Sequence, residues 1–562
     1  MHYIKKVLQK NRGLILAYIA LGLFNSFMAN YKAVYFQKVI DGLTDGSLVL
    51  TGILIYGALL VTNFCSNYLD NYPEKKLEHG IFLDFKLLAL HKISTIDYLE
   101  YQKIGTGKLV QRIENGAAAG RGVLFSFWIR LFRELIPTIA FSVCFIWRIN
   151  RRVTYALLAG YVIIFIITNI LLKFLYWIKE RIMDNEEQLN HYLVRGFMEM
   201  LVFRMKRQFP DEIRKATGAK EEIVSAKTGM TMIHEAFFTI FALLVAILDI
   251  SILIYAWKYG SLTVGAVVAL ISLIDNAYTP IAIFNVLYVQ YKLDRASFAR
   301  FEAFLRLRDD TQLGEGDAPG KDIGEISIGK LDFQYEERHI FEELDLKIHK
   351  GEKVAFVGES GSGKSTLTKL LVGLLKYDHG SICLGGAQLK ELCLNELYKS
   401  ISYLSQDSPV FDGTIRENLV FGRAVPDAEL LDALERVQLK ALLEGSDQGL
   451  DTEIGEKGTC LSGGEKQRLA LARLWFEDSE LVILDEATSA MDNLTEEVVM
   501  DQVIRRLKDQ TVIAIAHRLN SIVGFDRIVV FREGRIVGQG TFEELMSTNA
   551  YFAELYHASV QS

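Results

Sequence analysis

Residues 358–366 read GESGSGKST. The run matches G-x-x-x-x-G-K-[ST]. In that pattern Gly358, Gly361 and Gly363 let backbone N–H groups curl round phosphate oxygens, with Glu359, Ser360 and Ser362 between them. Lys364 is then placed to reach β- and γ-phosphates, and the Ser365 hydroxyl to ligate Mg²⁺. Thr366 follows in a helix whose positive dipole end adds to the anion site. The preceding KVAFVG reads as a short buried strand, so the context is strand, loop, helix.

A second apolar run, LVILDE at 481–486, ends in two acids. Asp485 is placed to hold Mg²⁺ through water and Glu486 to polarise an attacking water. Phosphoryl transfer depends on such positioning and electrostatics. Between the two lies LSGGEKQRLALAR, 461–473, in which Ser462, Gly463 and Gly464 immediately precede an apolar-periodic helix. That is a second anion site at a helix N-terminus. One chain with one P-loop therefore has two phosphate-seeking loops.

These loops sit in the last part of the chain, from about residue 322, which reads as an ordinary α/β domain. The first part is different. Half of the 562 residues are hydrophobic, and long charge-free runs collect before residue 290. A membrane helix needs about 20 predominantly apolar residues. Six candidates meet this: 13–36, 48–70, 124–149, 153–176, 234–257 and 263–290. The links after the first, third and fifth are short, and those after the second and fourth are long, charged and helical in pattern. Lys5, Lys6, Lys10 and Arg12 precede the first run and place the N-terminus in the cytoplasm. The apolar stretch outruns a signal peptide and has no small-residue cleavage site, so it reads as an anchor. The expected domains are a six-span α-helical region at 1–306 with long cytoplasmic extensions, a charged Gly- and Pro-containing linker at 307–321, and the ATPase domain at 322–562. A net charge of −7 argues against a nucleic-acid partner. The five cysteines show no CxxC spacing, so neither a disulfide framework nor a zinc site is expected.

Taken together, the motifs resemble those of ATP-binding-cassette (ABC) transporters, with 461–465 similar to the family's signature loop. The resemblance runs over essentially the whole chain. It implies that Gln406 belongs to the Q-loop that touches Mg²⁺ and the membrane domain. It makes His517 the switch histidine at the γ-phosphate, Asp492 the D-loop aspartate, and Tyr335 the aromatic that stacks on adenine. Glu465 stands where many exporters have Gln. The membrane half resembles the exporter branch, with a first docking helix in 97–116, a second near 203–210, and Glu456 in the segment that senses them. One cassette per chain makes this a half-transporter, in which two protomers sandwich two ATPs. The intact Glu486 and signature loop favour an identical partner.

On the sixth span Ser272, Asp275, Asn276 and Thr279 share a face, as do Asn63, Ser66, Asn67 and Asp70 on the second and Arg130, Arg133, Glu134 and Thr138 on the third. Intramembrane acids are costly. The stripes together suggest a shared water-accessible cavity, with Asp275, Ser272, Asn276, Thr279, Asn63 and Asn67 facing an amphipathic cargo. Asp249 either joins them or bonds a neighbouring helix. The implied activity is ATP-driven export of a small amphiphile, lipid or peptide across the plasma membrane. An ATP-gated channel or regulator, and an exporter-shaped importer of siderophore-like compounds, are the rival readings.

Overall fold

The computed structural model describes residues 2–561 apart from Gly105, Ser261, Lys321, Asp322, Glu337, Asp407, Ser408, 445–447, Glu456, Lys457 and His517. The chain divides into two compact units. One holds Met1–Ser94 and Ile104–Leu307; the other holds Thr95–Lys103 and Arg308–Ser562.

The first unit is helical: α1 (His2–Lys10), α2 (Arg12–Thr44), α3 (Leu50–Thr95), α4 (Tyr98–Ile104), which straddles the unit boundary, α5 (Thr106–Arg121), α6 (Ile136–Ile149), α7 (Arg151–Met198), α8 (Met200–Met205), α9 (Phe209–Tyr259) and α10 (Val264–Leu305). Among the described residues α2, α3, α9 and α10 are long and apolar enough to cross a membrane. The expected fourth span lies within α7. The expected third span is not one regular helix. It begins in π-helical turns, Gly122–Ile129 and Leu131–Leu135, before α6 takes over. Pro137 in the first turn of α6 supplies one reason, because it has no N–H for the carbonyl four residues back.

Packing in this unit relies on small residues and aromatics. A Cβ on Gly116 would lie 2.3 Å from the Phe301 ring, and one on Gly120 would lie 2.7 Å from Phe85. Glycine at these two points lets α5 lie close against α10 and the buried Phe85, Phe298 and Phe301. The hydroxyl of Tyr161 donates to the Ala277 carbonyl at 3.2 Å, and that of Tyr278 to the Leu157 carbonyl at 3.2 Å, which joins α7 to α10. The α1 helix is held by Tyr3, whose hydroxyl donates to Leu305, and by Lys10, which pairs with Asp84 at 2.6 Å.

Part of the polar stripes on the second and third spans bonds neighbouring helices, whereas Asn67 stays exposed and Arg130 pairs with Glu134 one turn on at 3.2 Å. Asp70 pairs with Arg133, and Asn25 reaches Asp70 at 3.5 Å. Ser66 donates to Asn25, Ser26 and Thr138 bond at 2.9 Å, and Ser142 donates to Asn30 at 2.7 Å. Asn63 is buried. Asn67, Ser272, Asp275 and Thr279 are exposed on their helices, and Asn276 is half-buried. The spacing rule placed each stripe on one face correctly, but periodicity cannot distinguish a facing helix from a facing cavity.

The second unit contains two sheets. Strands β1 (Ile326–Tyr335), β2 (Arg338–Ile348), β4 (His379–Leu384) and β5 (Ala387–Gln388) form an antiparallel sheet of order β2-β1-β4-β5. The other sheet has the order β10-β9-β3-β8-β7-β6. It is built from β3 (Lys353–Val357), β6 (Ile401–Leu404), β7 (Leu481–Asp485), β8 (Thr511–Ile515), β9 (Arg527–Arg532) and β10 (Arg535–Gly540). It is parallel except for the β9–β10 hairpin. All residues of β3, β7 and β8 are buried. This is why they read as continuous apolar runs: a parallel strand is covered on both faces. Thr95–Lys103 belongs to this unit. Asp310 donates its N–H to Thr95 at 2.7 Å, Asp97 donates to Arg308 at 3.0 Å, and Tyr98 and Leu99 pack on the core under the antiparallel sheet.

Candidate functional site

The 358–365 loop leaves β3 and enters the helix Lys364–Leu371. Gly358 has φ +148°, and a Cβ there would stand 2.2 Å from the Phe531 carbonyl oxygen. Gly363 has φ +104° and lies against the Phe341 ring. Both positions therefore require glycine. Lys364 folds back into its own loop. Its Nζ donates to the carbonyls of Gly358 at 2.6 Å and Glu359 at 2.9 Å, and to Ser362 Oγ at 3.3 Å. Burial lowers its ammonium below the ordinary lysine range, opposed by the nearby carboxylates Glu486, Asp485 and Glu359. Ser360 and Glu359 are exposed, and Thr366 is half-buried.

Asp485 ends β7, and its Oδ1 accepts from the Ser365 hydroxyl at 2.9 Å. The next residue, Glu486, has φ +52°, a sparsely populated region for a non-glycine residue and one often found where function constrains the backbone. Gln406 Nε2 donates to Glu486 Oε2 at 2.6 Å. The structure thus brings Lys364, Ser365, Asp485, Glu486 and Gln406 to one end of the parallel sheet. This is where α/β folds bind ligands. Ser365, Gln406 and Asp485 form an oxygen-rich donor set, which suits a hard divalent cation such as Mg²⁺.

Ser462 and Glu465 form a capping box on the helix Gly463–Ala472. The Ser462 N–H and hydroxyl each donate to Glu465 Oε2 at 2.7 Å. Those bonds, the backbone N–H first, hold the Glu465 carboxyl below its ordinary range. The loop packs on 489–490: a Cβ on Gly464 would meet the Ala490 carbonyl at 3.0 Å, and Gln467 bonds Ser489 and the Ala490 N–H. Asp492 caps Asn493–Arg506 by accepting from the Thr495 N–H at 2.9 Å, which lowers its carboxyl as well. Tyr335 ends β1 edge-on to Phe333. His517 and Glu456 lie outside the described residues.

Two contributors escaped the sequence reading. Tyr403, on β6, donates its hydroxyl to Asp485 Oδ2 at 2.9 Å. Arg518 donates to the Met491 carbonyl and to Glu496, at 2.9 Å from the latter, fastening the segment after β8 to the 490–492 turn. The only signal for Tyr403 was its place in a short strand before Gln406; Arg518 sits next to His517, in AHRL.

The family described as ABC transporter matches residues 341–489. Over 335 residues the chain is 36% identical to the ATP-dependent lipid A-core flippase of Neisseria meningitidis serogroup A, covering 59% of this chain and 54% of that protein. The chain spans about half the length of the first curated relatives it matches. A longer alignment of 552 residues, at 27% identity, covers 96% of this chain and 93% of the ATP-dependent lipid A-core flippase of Hahella chejuensis. A solved bacterial Atm1-family ABC exporter with ATP bound shares the fold, with a TM-score of 0.82 at 22% identity over 98% of each chain. The protein is an integral membrane protein with an ATP-binding cassette. The chain carries an ABC transporter domain over residues 341–489, and its fold is that of a solved ABC exporter.

Proposed function

We propose that the chain is one half of an ATP-driven exporter that works as a dimer of identical protomers. The observation that carries this reading is that one cassette holds two phosphate-seeking loops, each with its own fastening. The Lys364 loop is bonded to the Asp485 end of the sheet, while the Ser462 loop is fastened to residues 489–490. A second copy would supply the signature loop over each ATP. Backbone N–H groups of 358–365 and Lys364 hold the phosphates, Ser365, Asp485 and Gln406 hold Mg²⁺, and Tyr335 meets the adenine. When bound, Mg²⁺ neutralises charge on the β- and γ-oxygens. Glu486 polarises the attacking water, held in place by Gln406. His517 contacts the γ-phosphate and Asp492 faces the partner cassette.

A further observation supports the dimer. Around α8, Phe197 is 86%, Leu201 69% and Met205 75% exposed. The cassette has an open groove of about 450 Å³ that includes Phe421, Arg423, Arg473 and Glu477. The α8 segment of one protomer docks in the groove of the other and carries cassette closure to the spans. Leu201→Asp is expected to leave nucleotide binding unchanged and to lower ATP-driven transport at least about tenfold. Vesicle uptake measured beside nucleotide binding checks this; full transport by the variant would place the docking surface elsewhere.

Glu465 puts a carboxylate where the partner's γ-phosphate would arrive. Gln preserves the capping box but removes the charge. Glu465→Gln is expected to lower the ATP concentration for half-maximal dimerisation about 2- to 5-fold, the usual worth of a charge at a helix end. Light scattering against ATP concentration measures it, and a rightward shift would show that the carboxylate assists closure.

The cargo is amphipathic. The exposed Asn67, Ser272, Asp275 and Thr279, with Asn276 beside them, are its contacts on the membrane side, and the relatives named as lipid A-core flippases support a lipid-like molecule. The six spans lie in the plasma membrane with N-terminus and cassette cytoplasmic. ATP-dependent, vanadate-sensitive uptake of a labelled amphiphile into inside-out proteoliposomes tests the whole reading. Passive ion flux without uptake would refute it.

A further inference from the structure

Asp485 is 4% exposed and sits at the end of a strand buried along its length. A buried carboxylate needs donors for both oxygens. Ser365 serves Oδ1, as the P-loop pattern leads one to expect. The donor to Oδ2 comes from outside every motif read above. It is the phenol of Tyr403, at 2.9 Å.

The position follows from the sheet. Strands β6 and β7 are parallel, with Tyr403 paired to Ile483 and Leu404 to Leu484. Tyr403 thus stands beside the end of β7, three residues before Gln406. Its ring is pinned. It packs on the apolar cluster that also receives Ile401 and, from α4, Tyr98 and Leu99. Facing a carboxylate oxygen, which can only accept, the phenol is the donor.

We propose that Tyr403 is a positioning residue for the Mg²⁺ site. It fixes the rotamer of Asp485 by holding Oδ2, so that Oδ1, shared with Ser365, is already aimed when the cation arrives. Aspartate χ2 is a broad, roughly two-fold torsion. A carboxylate gripped through one oxygen only is free to swing about that contact, and each excursion breaks the donor set. The phenol donates to the carboxylate and to none of the P-loop carbonyls that Lys364 bonds. Its contribution is pre-organisation of a ligand to the metal, and it should therefore appear in the metal dependence and nowhere else.

This inference rests on the proposed nucleotide site, and the experiment separates the two. The full chain in detergent is titrated with a fluorescent ATP analogue, first in EDTA and then across a Mg²⁺ series. Tyr403→Phe keeps the ring and its packing and deletes the hydroxyl alone. A hydrogen bond to a charged acceptor is lost, so the Mg²⁺ midpoint is expected to rise about 10- to 100-fold. Binding in EDTA should stay within about twofold of the unchanged protein. Asp485→Asn is the reference for a damaged metal site, and Tyr403→Phe in that background should shift the midpoint no further. An unchanged Mg²⁺ midpoint in Tyr403→Phe would overturn the proposal. An equal loss of binding in EDTA would also overturn it, since that marks a general loosening of the loop. Failure of the unchanged protein to bind the analogue at all would overturn the nucleotide site itself, and the proposal with it.

Discussion

Glu486→Gln is expected to cut ATP turnover about 100- to 10,000-fold, the range over which a positioned general base contributes, while leaving ATP bound and the dimer closed. The substitution is nearly isosteric. An amide oxygen can still accept from Gln406 Nε2, which stands 2.6 Å from the carboxylate. The residue keeps φ near +52° and its N–H bond to the Ile515 carbonyl at 3.3 Å. Nothing that holds phosphate or metal is removed. The amide lacks only the negative charge. Retained nucleotide after gel filtration, beside a phosphate-release assay, reads both halves of the expectation. Turnover within tenfold of the unchanged protein would move the base to another residue.

The second large effect concerns the membrane unit. The Arg133 and Asp70 side chains are 12% and 8% exposed, and the guanidinium also lies over the Tyr18 ring at 4.1 Å. Removing one member leaves the other charged and buried. Arg133→Leu should therefore destabilise the protein by about 3–5 kcal/mol, whereas Arg133→Leu with Asp70→Leu should recover most of that loss. Thermal inactivation in detergent, followed by size-exclusion recovery, measures all three proteins against the unchanged one. If the double variant is as unstable as the single, the pair is not what holds these helices. Cargo recognition predicts a different pattern, with normal stability and altered stimulation of ATP turnover.

The same pair shows where the sequence stopped being legible. Asp70 and Arg133 were correctly placed on the polar faces of their helices, because a 3.6-residue period fixes a face. What stood opposite each face was not encoded in the period, and each had been assigned to water when it met the other. The glycines of the 358–365 loop were legible because their demand is local. Gly358 and Gly363 take positive φ, and Lys364 bonds its own loop's carbonyls, so type and order suffice. Tyr403 was not legible, because its role depends on β6 lying beside β7, a register between segments far apart in the chain. The π-helical start of the third span was hidden for a related reason. Hydropathy is blind to which carbonyl a given N–H meets, and Pro137 has no N–H to offer one.

The segment Thr95–Lys103 keeps company with the cassette although its neighbours on both sides belong to the helical unit. It adds a short antiparallel bridge at Ile96 and Asp309 and lodges Tyr98 and Leu99 among the cassette's apolar residues. An engineer who grafts a foreign ATPase by cutting at 307 would evict this tenant and leave a vacancy moulded to another occupant. The exchangeable module has three seams, after 94, 103 and 307, and a graft that respects all three carries its own fastening with it.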